Sequence, residues 1–300
     1  MSVEARLDYE ARMRTRQGII AAIAAVGLLI SAVLQIAGPH TKVNELTLGL
    51  IFEHRRFVLD LIGAIVETVG WLALSWTLWY LFDCTRAREK KVPSYIGIVA
   101  LVGGPLAGLG ILGYVISYGL AAQSFVSHGA QTYPQAHHLL SGGALNVFQI
   151  VDYLGELVLA LGFVMVSLNA MRVGLLTRFL GFLGIIGGVL TLFVITPVPI
   201  VQFYWLAAVA YLLSGRWPNG LPPAWRTGKV ERWPSSQELR EQQARARAGK
   251  GRAPAITRDA VPASAGAGSG GGRGSGQQKQ RAASASASRS NAKRKRKRRK

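Results

Sequence analysis

VLDLIGAIVETVGWLALSWTLWYLF, residues 58–82, is a run of 25 residues interrupted only by Asp60 and Glu67. At about 1.5 Å of rise per residue, a helix of this length crosses the roughly 30 Å hydrocarbon core of a bilayer. An aspartate at the centre of such a helix costs about 2.5–3.5 kcal/mol on insertion scales, so acids in membrane helices face the bundle interior or water. Asp60 lies toward one end of the run, where the cost is smaller.

Further apolar runs occur on either side. Together the sequence predicts six membrane helices, near residues 18–38, 58–82, 95–122, 145–171, 179–196 and 198–214. The first follows RMRTR as a secretory signal would. Its apolar stretch is longer than the usual signal core and no small-x-small cleavage site follows, so it is expected to stay as a helix. The predicted fold is all-α and polytopic: a basic N-terminus over 1–17, a six-helix transmembrane domain over 18–215 and a basic tail over 216–300.

Charge supports that division. Half of the 300 residues are hydrophobic, yet the formal charge is +20. Residues 1–215 hold 13 Lys and Arg against 11 Asp and Glu, while residues 216–300 hold 22 against 4. The basicity therefore belongs to the tail.

Lys and Arg in short loops stay cytoplasmic. Arg6, Arg12, Arg14 and Arg16 precede the first helix, Arg86, Arg88, Lys90 and Lys91 follow the second, and Arg172 and Arg178 separate the fourth from the fifth. These fall on one side, whereas residues 123–144 on the other side contain no Lys or Arg. Both termini are expected in the cytoplasm, with Lys42, Arg55 and Arg56 as exceptions. Trp79, Tyr80, Phe82, Tyr95 and Phe179 sit where interfacial aromatics belong. Cys84 is the single cysteine, so no intrachain disulfide forms. It reads either as a thiol activated by Arg86 and Arg88 or as a small residue at a helix end.

The opening motif recurs. D-x-x-G-x6-G-[WF]-x3-S places Asp60, Gly63, Gly70, Trp71 and Ser75 over Asp152, Gly155, Gly162, Phe163 and Ser167. YIGIVALVGGPL from Tyr95 likewise lies over FLGFLGIIGGVL from Phe179. The matched helices run in the same direction, so the internal repeat is parallel, unlike the inverted repeats of many secondary transporters. Gly104 and Gly108, like Gly184 and Gly188, form small-xxx-small pairs that let helix backbones approach. Pro105 is expected to kink the third helix.

A basic N-terminus leading into GIIAAIAAVGLL, then FVLDLIGAIV, then LLTRFLGFLGIIGGVL resembles the bacterial integral-membrane domain-of-unknown-function family numbered 4386. The resemblance covers residues 12–214; the long basic tail departs from the family's pattern. It implies a bacterial cytoplasmic-membrane protein and brings no catalytic activity with it.

The candidate site follows from the acids. Glu67 lies seven residues beyond Asp60 on the same face, and Glu156 one turn beyond Asp152. Asn146, Gln149 and Tyr153 complete a polar stripe on the fourth helix. The functional reading is a polar cavity, open to the outside, for a cation, a proton or a small polar solute. The alternative is that the acids pair with Arg55, Arg56 or backbone donors and fix helix packing. His40, His54, His128, His137 and His138 all fall in predicted outer segments; His128, His137 and His138 are the residues to consider for zinc or copper, although their spacing is not a metal-ligand pattern.

No H-E-x-x-H, G-x-S-x-G or phosphate-loop motif occurs, so neither an enzyme nor a cofactor is expected. In the tail, RWPNGLPPAW reads as an interfacial turn and SSQELREQQARARAG as a short helix. Beyond these, Ala, Ser, Gly, Pro and Arg dominate, and disorder is expected. Lys293, Arg294, Lys295, Arg296, Lys297, Arg298, Arg299 and Lys300 end the chain as consecutive cations that suit anionic lipid or nucleic acid electrostatically, without base recognition. Two functions remain open: a transporter-like or ligand-sensing component built around an externally open acidic cavity, or a membrane anchor or scaffold acting through its basic tail.

Overall fold

The structure, a computed structural model, describes residues 2–36, 46–128, 130–193, 199–218 and 220–231, together with 238, 240, 241 and 244. The polybasic run 293–300 and the expected disorder of the tail lie outside the described residues, as do His40, Lys42 and residues 194–198. The described fold belongs to the compact unit Met1–Glu241.

Among the described residues there are helices and no strands. They are α1 (Val3–Ile36), α2 (Leu46–Arg88), α3 (Tyr95–Ser127), α4 (Tyr133–Leu140), α5 (Gly143–Val173), α6 (Arg178–Thr191), α7 (Ile200–Leu213) and α8 (Pro223–Thr227). Four of them, α1, α2, α3 and α5, are long and apolar enough to cross a membrane. The expected spans 179–196 and 198–214 correspond to α6 and α7, of 14 residues each. Alone, each rises about 21 Å, short of the hydrocarbon thickness.

The long helices outrun the apolar runs. At 43 residues α2 extends about 64 Å, roughly twice the hydrocarbon thickness, and begins at Leu46 rather than near Val58. The segment LTLGLIFEHRRF is polar enough to leave the membrane and still periodic enough to remain helical. The loop expected over 123–144 contains α4, which packs Ala136 with Leu50, Ala122 and Phe125 into a small second core.

Neighbours in sequence are neighbours in space: α1 packs on α2, α2 on α3, α3 on α5, α5 on α6 and α6 on α7, and α7 returns to α1 to close the ring. The starts of α1, α3 and α6 and the ends of α2, α5 and α7 gather at one end, here called the basic end. The main core fills the half nearer that end, with Leu74, Leu78, Phe163, Val166, Trp205 and Val209 fully or almost fully buried.

Glycine sets the closeness of α3 and α5. A Cβ on Gly155 would stand 2.2 Å from the Ala107 nitrogen, and one on Gly103 would stand 2.5 Å from the Leu159 backbone. These helices touch backbone to backbone, which accounts for the heptad-spaced glycine pairs 103/110 and 155/162. Across α2 and α3, the Gly104 amide donates to Ser75 Oγ at 2.8 Å. A Cβ on Gly184 of α6 would meet Ser167 Oγ of α5 at 2.3 Å. The first is a hydrogen bond between helices; the second is a close approach that only a glycine allows.

The fold continues past the boundary expected at residue 215. Trp225 of α8 is buried; its Nε1 donates to Leu175 O at 2.9 Å and its ring stacks on Tyr80. Gly174, with φ of 84°, closes α5 in the left-handed conformation, and a Cβ there would overlap Glu231 O at 1.6 Å. The segment read as an interfacial turn is thus a strap packed across the basic end.

Candidate functional site

The opposite end from the strap holds a cavity of about 670 Å³. Its walls come from the last turn of α1, the first half of α2, the second half of α3 and the first half of α5. From Phe82, near the basic end of the membrane run, the α2 rise to Glu67 is about 22 Å and to Asp60 about 33 Å. Glu67 therefore lies about 10 Å nearer the basic end than Asp60 does.

Of the residues anticipated for this site, Asp60, Glu67, Gln149, Asp152 and Tyr153 line the cavity. The two motif aspartates thus face one space. Asn146 is exposed and does not line it. It shares a face with Gln149 and Tyr153 but sits one turn nearer the start of α5, on its exposed first turn. Glu156 is half-buried one turn deeper, with Asp152 and Glu67 as electrostatic neighbours, but it is also outside the lining.

The remaining walls bring residues that the motifs did not mark. Glu53 and Arg56 come from the part of α2 that precedes the apolar run, Gln35 from α1, and Tyr114 and Tyr118 from α3. The two tyrosine rings stack at 5.9 Å, and Gln149 donates to Tyr153 Oη at 3.2 Å.

The acids are held differently. Arg56 donates to Asp60 Oδ1 at 3.1 Å and to Leu34 O at 3.3 Å, so the cavity's one arginine is engaged. Glu67 Oε2 accepts from Ser31 Oγ at 2.8 Å and from Gln35 Nε2 at 2.9 Å. Asp152 and Glu53 have no hydrogen-bond or ion-pair partner among the described residues. Packing by arginine and hydroxyl donors therefore accounts for Asp60 and Glu67 but leaves two carboxylates facing the cavity as unfilled acceptors.

The lining sums to four carboxylates and one guanidinium. An anion finds no free cation there. A molecule with N–H donors or a positive charge finds open acceptors and tyrosine faces, the combination that binds ammonium groups. Among the described residues no three His, Cys, Asp or Glu converge as a metal site. His128 sits at the end of α3 against Ser127, and His137 and His138 lie exposed on α4.

The basic end carries a second polar cluster. Arg88, its side chain 1 % exposed, grips Glu10, 2 % exposed, through Nη2 to Oε2 at 2.6 Å and Nη1 to Oε1 at 3.0 Å. Arg88 also donates to Ala224 O from Nε and Nη2, and to Cys84 O. It lies 5.4 Å from the Trp225 ring centroid. Arg6 adds a bond to Glu10 and an ion pair with Asp83. Cys84 is fully buried beneath this cluster, which makes it a packed small residue rather than an exposed thiol.

No protein-family model matches the chain, and neither the curated proteins nor the solved structures contain a match to it.

Proposed function

We propose that the chain is a multi-pass membrane protein that takes a small organic cation, bearing one or more ammonium groups, into the cavity opposite its basic end. It acts as a transporter-like or ligand-sensing component. The observation that carries this reading is Asp152: its carboxylate has no partner among the described residues, yet it faces an acidic cavity walled by Tyr114, Tyr118 and Tyr153. A carboxylate placed at this depth without a donor stands at a cost that a cationic ligand offsets.

In this reading the basic end is cytoplasmic by the retention of Lys and Arg, so the cavity opens away from the cytoplasm of a bacterial cell. The chain crosses six times, α6 and α7 forming the last two crossings. The pairs α2–α3 and α5–α6 are copies of one unit, supported by the matching motif.

The test is calorimetric titration of the full chain in lipid nanodiscs with 1,4-diaminobutane, with sodium and calcium at matched ionic strength as controls. The reading expects saturable binding of the diamine that Asp152→Asn weakens at least tenfold. Equal, weak responses to all three cations would overturn it.

A second reading, contact of the tail with anionic lipid, is favoured by one feature of the basic end. Arg86, Lys90, Lys91, Arg172, Arg178 and Arg226 are all exposed there. A cationic surface at that end would draw phosphatidylserine-type or phosphatidylglycerol-type headgroups, and the tail's cations would add to the attraction.

A further inference from the structure

Among the described residues, the hydrogen bonds and ion pairs between α1 and α2 fall into two groups, one toward each end of α1. At the cavity end, Ser31 and Gln35 of α1 both donate to Glu67 of α2, and Arg56 of α2 donates to Leu34 O of α1. At the basic end, Glu10 of α1 receives Arg88 of α2 while Arg6 pairs with Asp83. Between these ties Gly27 and Leu28 of α1 lie against Val66 and Gly70 of α2, and Gln17, Ala21, Ala24 and Ala25 of α1 are buried. There the backbones nearly meet, a Cβ on Gly70 standing 3.2 Å from the Leu28 nitrogen. A glycine- and alanine-faced contact has few side chains to interlock, so the end ties fix how α1 sits on α2.

We infer that occupancy of the cavity is transmitted along α1 and α2 to the strap at the basic end. This rests on the cation-binding reading above and adds its regulation. An ammonium group in the cavity competes with Ser31 and Gln35 for the Glu67 carboxylate. Losing that tie shifts the pair of helices toward an arrangement in which α1 is displaced on α2. The same displacement weakens the Glu10–Arg88 contact, about 32 Å along α2 from Glu67. Arg88 is also what holds the strap, through its two bonds to Ala224 O and its contact with Trp225. Ligand at one end thus loosens the strap, and with it the start of the tail, at the other.

Linkage makes the coupling reciprocal: if the cation favours the displaced arrangement, loosening the basic end must tighten cation binding by the same factor. Cys84 supplies a native reporter, because it is the chain's single cysteine and is fully buried beside Glu10, Arg88 and Tyr80.

The experiment measures the rate of Cys84 alkylation by a maleimide in the full chain in nanodiscs, with and without 1,4-diaminobutane, alongside diamine binding by calorimetry. We expect the diamine to raise the rate about tenfold with the same midpoint as binding. Ser31→Ala with Gln35→Ala should raise the rate without ligand, and Arg88→Met should bind the diamine about tenfold more tightly. Thermal midpoints and circular dichroism separate displacement from unfolding. Diamine that binds while Cys84 stays protected overturns the coupling and leaves the cavity reading standing. If no diamine binds, the cavity reading fails, and the Ser31/Gln35 variant alone decides the coupling: faster alkylation upholds it and an unchanged rate overturns it.

Discussion

Arg88→Met removes more than a charge. The guanidinium gives Glu10 bonds of 2.6 and 3.0 Å, gives Ala224 O bonds of 3.0 and 2.9 Å, and gives Cys84 O one of 2.8 Å. Breaking one side of a buried ion pair costs about 3–5 kcal/mol, mostly because the other charge is left in low dielectric. Arg6 still stands 3.0 Å from Glu10 Oε1, so the lower figure, about 3 kcal/mol, applies here. Replacing both partners with apolar groups removes the orphaned charge, and such exchanges are often close to neutral. Glu10→Leu with Arg88→Met should therefore cost less than Arg88→Met alone, with the unpaired Ala224 carbonyl accounting for a residue of about 1 kcal/mol. Reversible unfolding in mixed detergent micelles measures all three forms. A single variant within about 0.5 kcal/mol of the parent, or a double variant worse than the single, would refute the burial argument.

Gly155→Leu should prevent α3 and α5 from closing, since even a Cβ would meet the Ala107 nitrogen at 2.2 Å, whereas Gly143→Ala, with nothing within 4 Å, should fold normally; thermal midpoints by circular dichroism distinguish them. Ser167 Oγ is buried without a partner, so Ser167→Ala should leave stability unchanged or raise it by about 1 kcal/mol in the same assay. Single cysteines at positions 130 and 91, placed in a Cys84→Ala background, should label from opposite faces of intact cells: an impermeant maleimide reaching only position 91 would invert the orientation. A peptide spanning residues 290–300 should bind anionic vesicles at low salt and release as salt rises through the Debye-screening range, and salt-insensitive binding would contradict an electrostatic tail.

The cavity acids were legible because a carboxylate in an apolar run has few environments open to it, and repetition of the motif marked Asp60 and Asp152 together. Tyr114 and Tyr118 were not legible. Helix α3 is apolar on every side, so its sequence does not reveal which face is wetted. Arg56 had been named as a partner for the acids, and its bond to Asp60 is that pairing; Glu53 lay in charged sequence outside the apolar run, which α2 instead carries as helix. The Glu10–Arg88 pair joins positions 78 apart; Arg88 had been read for topology and as a neighbour of Cys84, and Glu10 carried no reading. Trp225 sat in a Pro- and Gly-rich segment with no periodicity to show that it would be buried. The lengths of α6 and α7 differ from expectation because a hydropathy run measures apolar composition and not where the backbone stops being helical.

The central claim is that unpaired carboxylates in the cavity receive a cation. Infrared difference spectroscopy of the full chain on adding 1,4-diaminobutane tests it at the group concerned. The account predicts a shift in the carboxylate stretching bands at saturating diamine, reduced in Asp152→Asn and again in Glu53→Gln, and absent with sodium. A spectrum unchanged by the diamine, or a shift that survives both substitutions together, would contradict it.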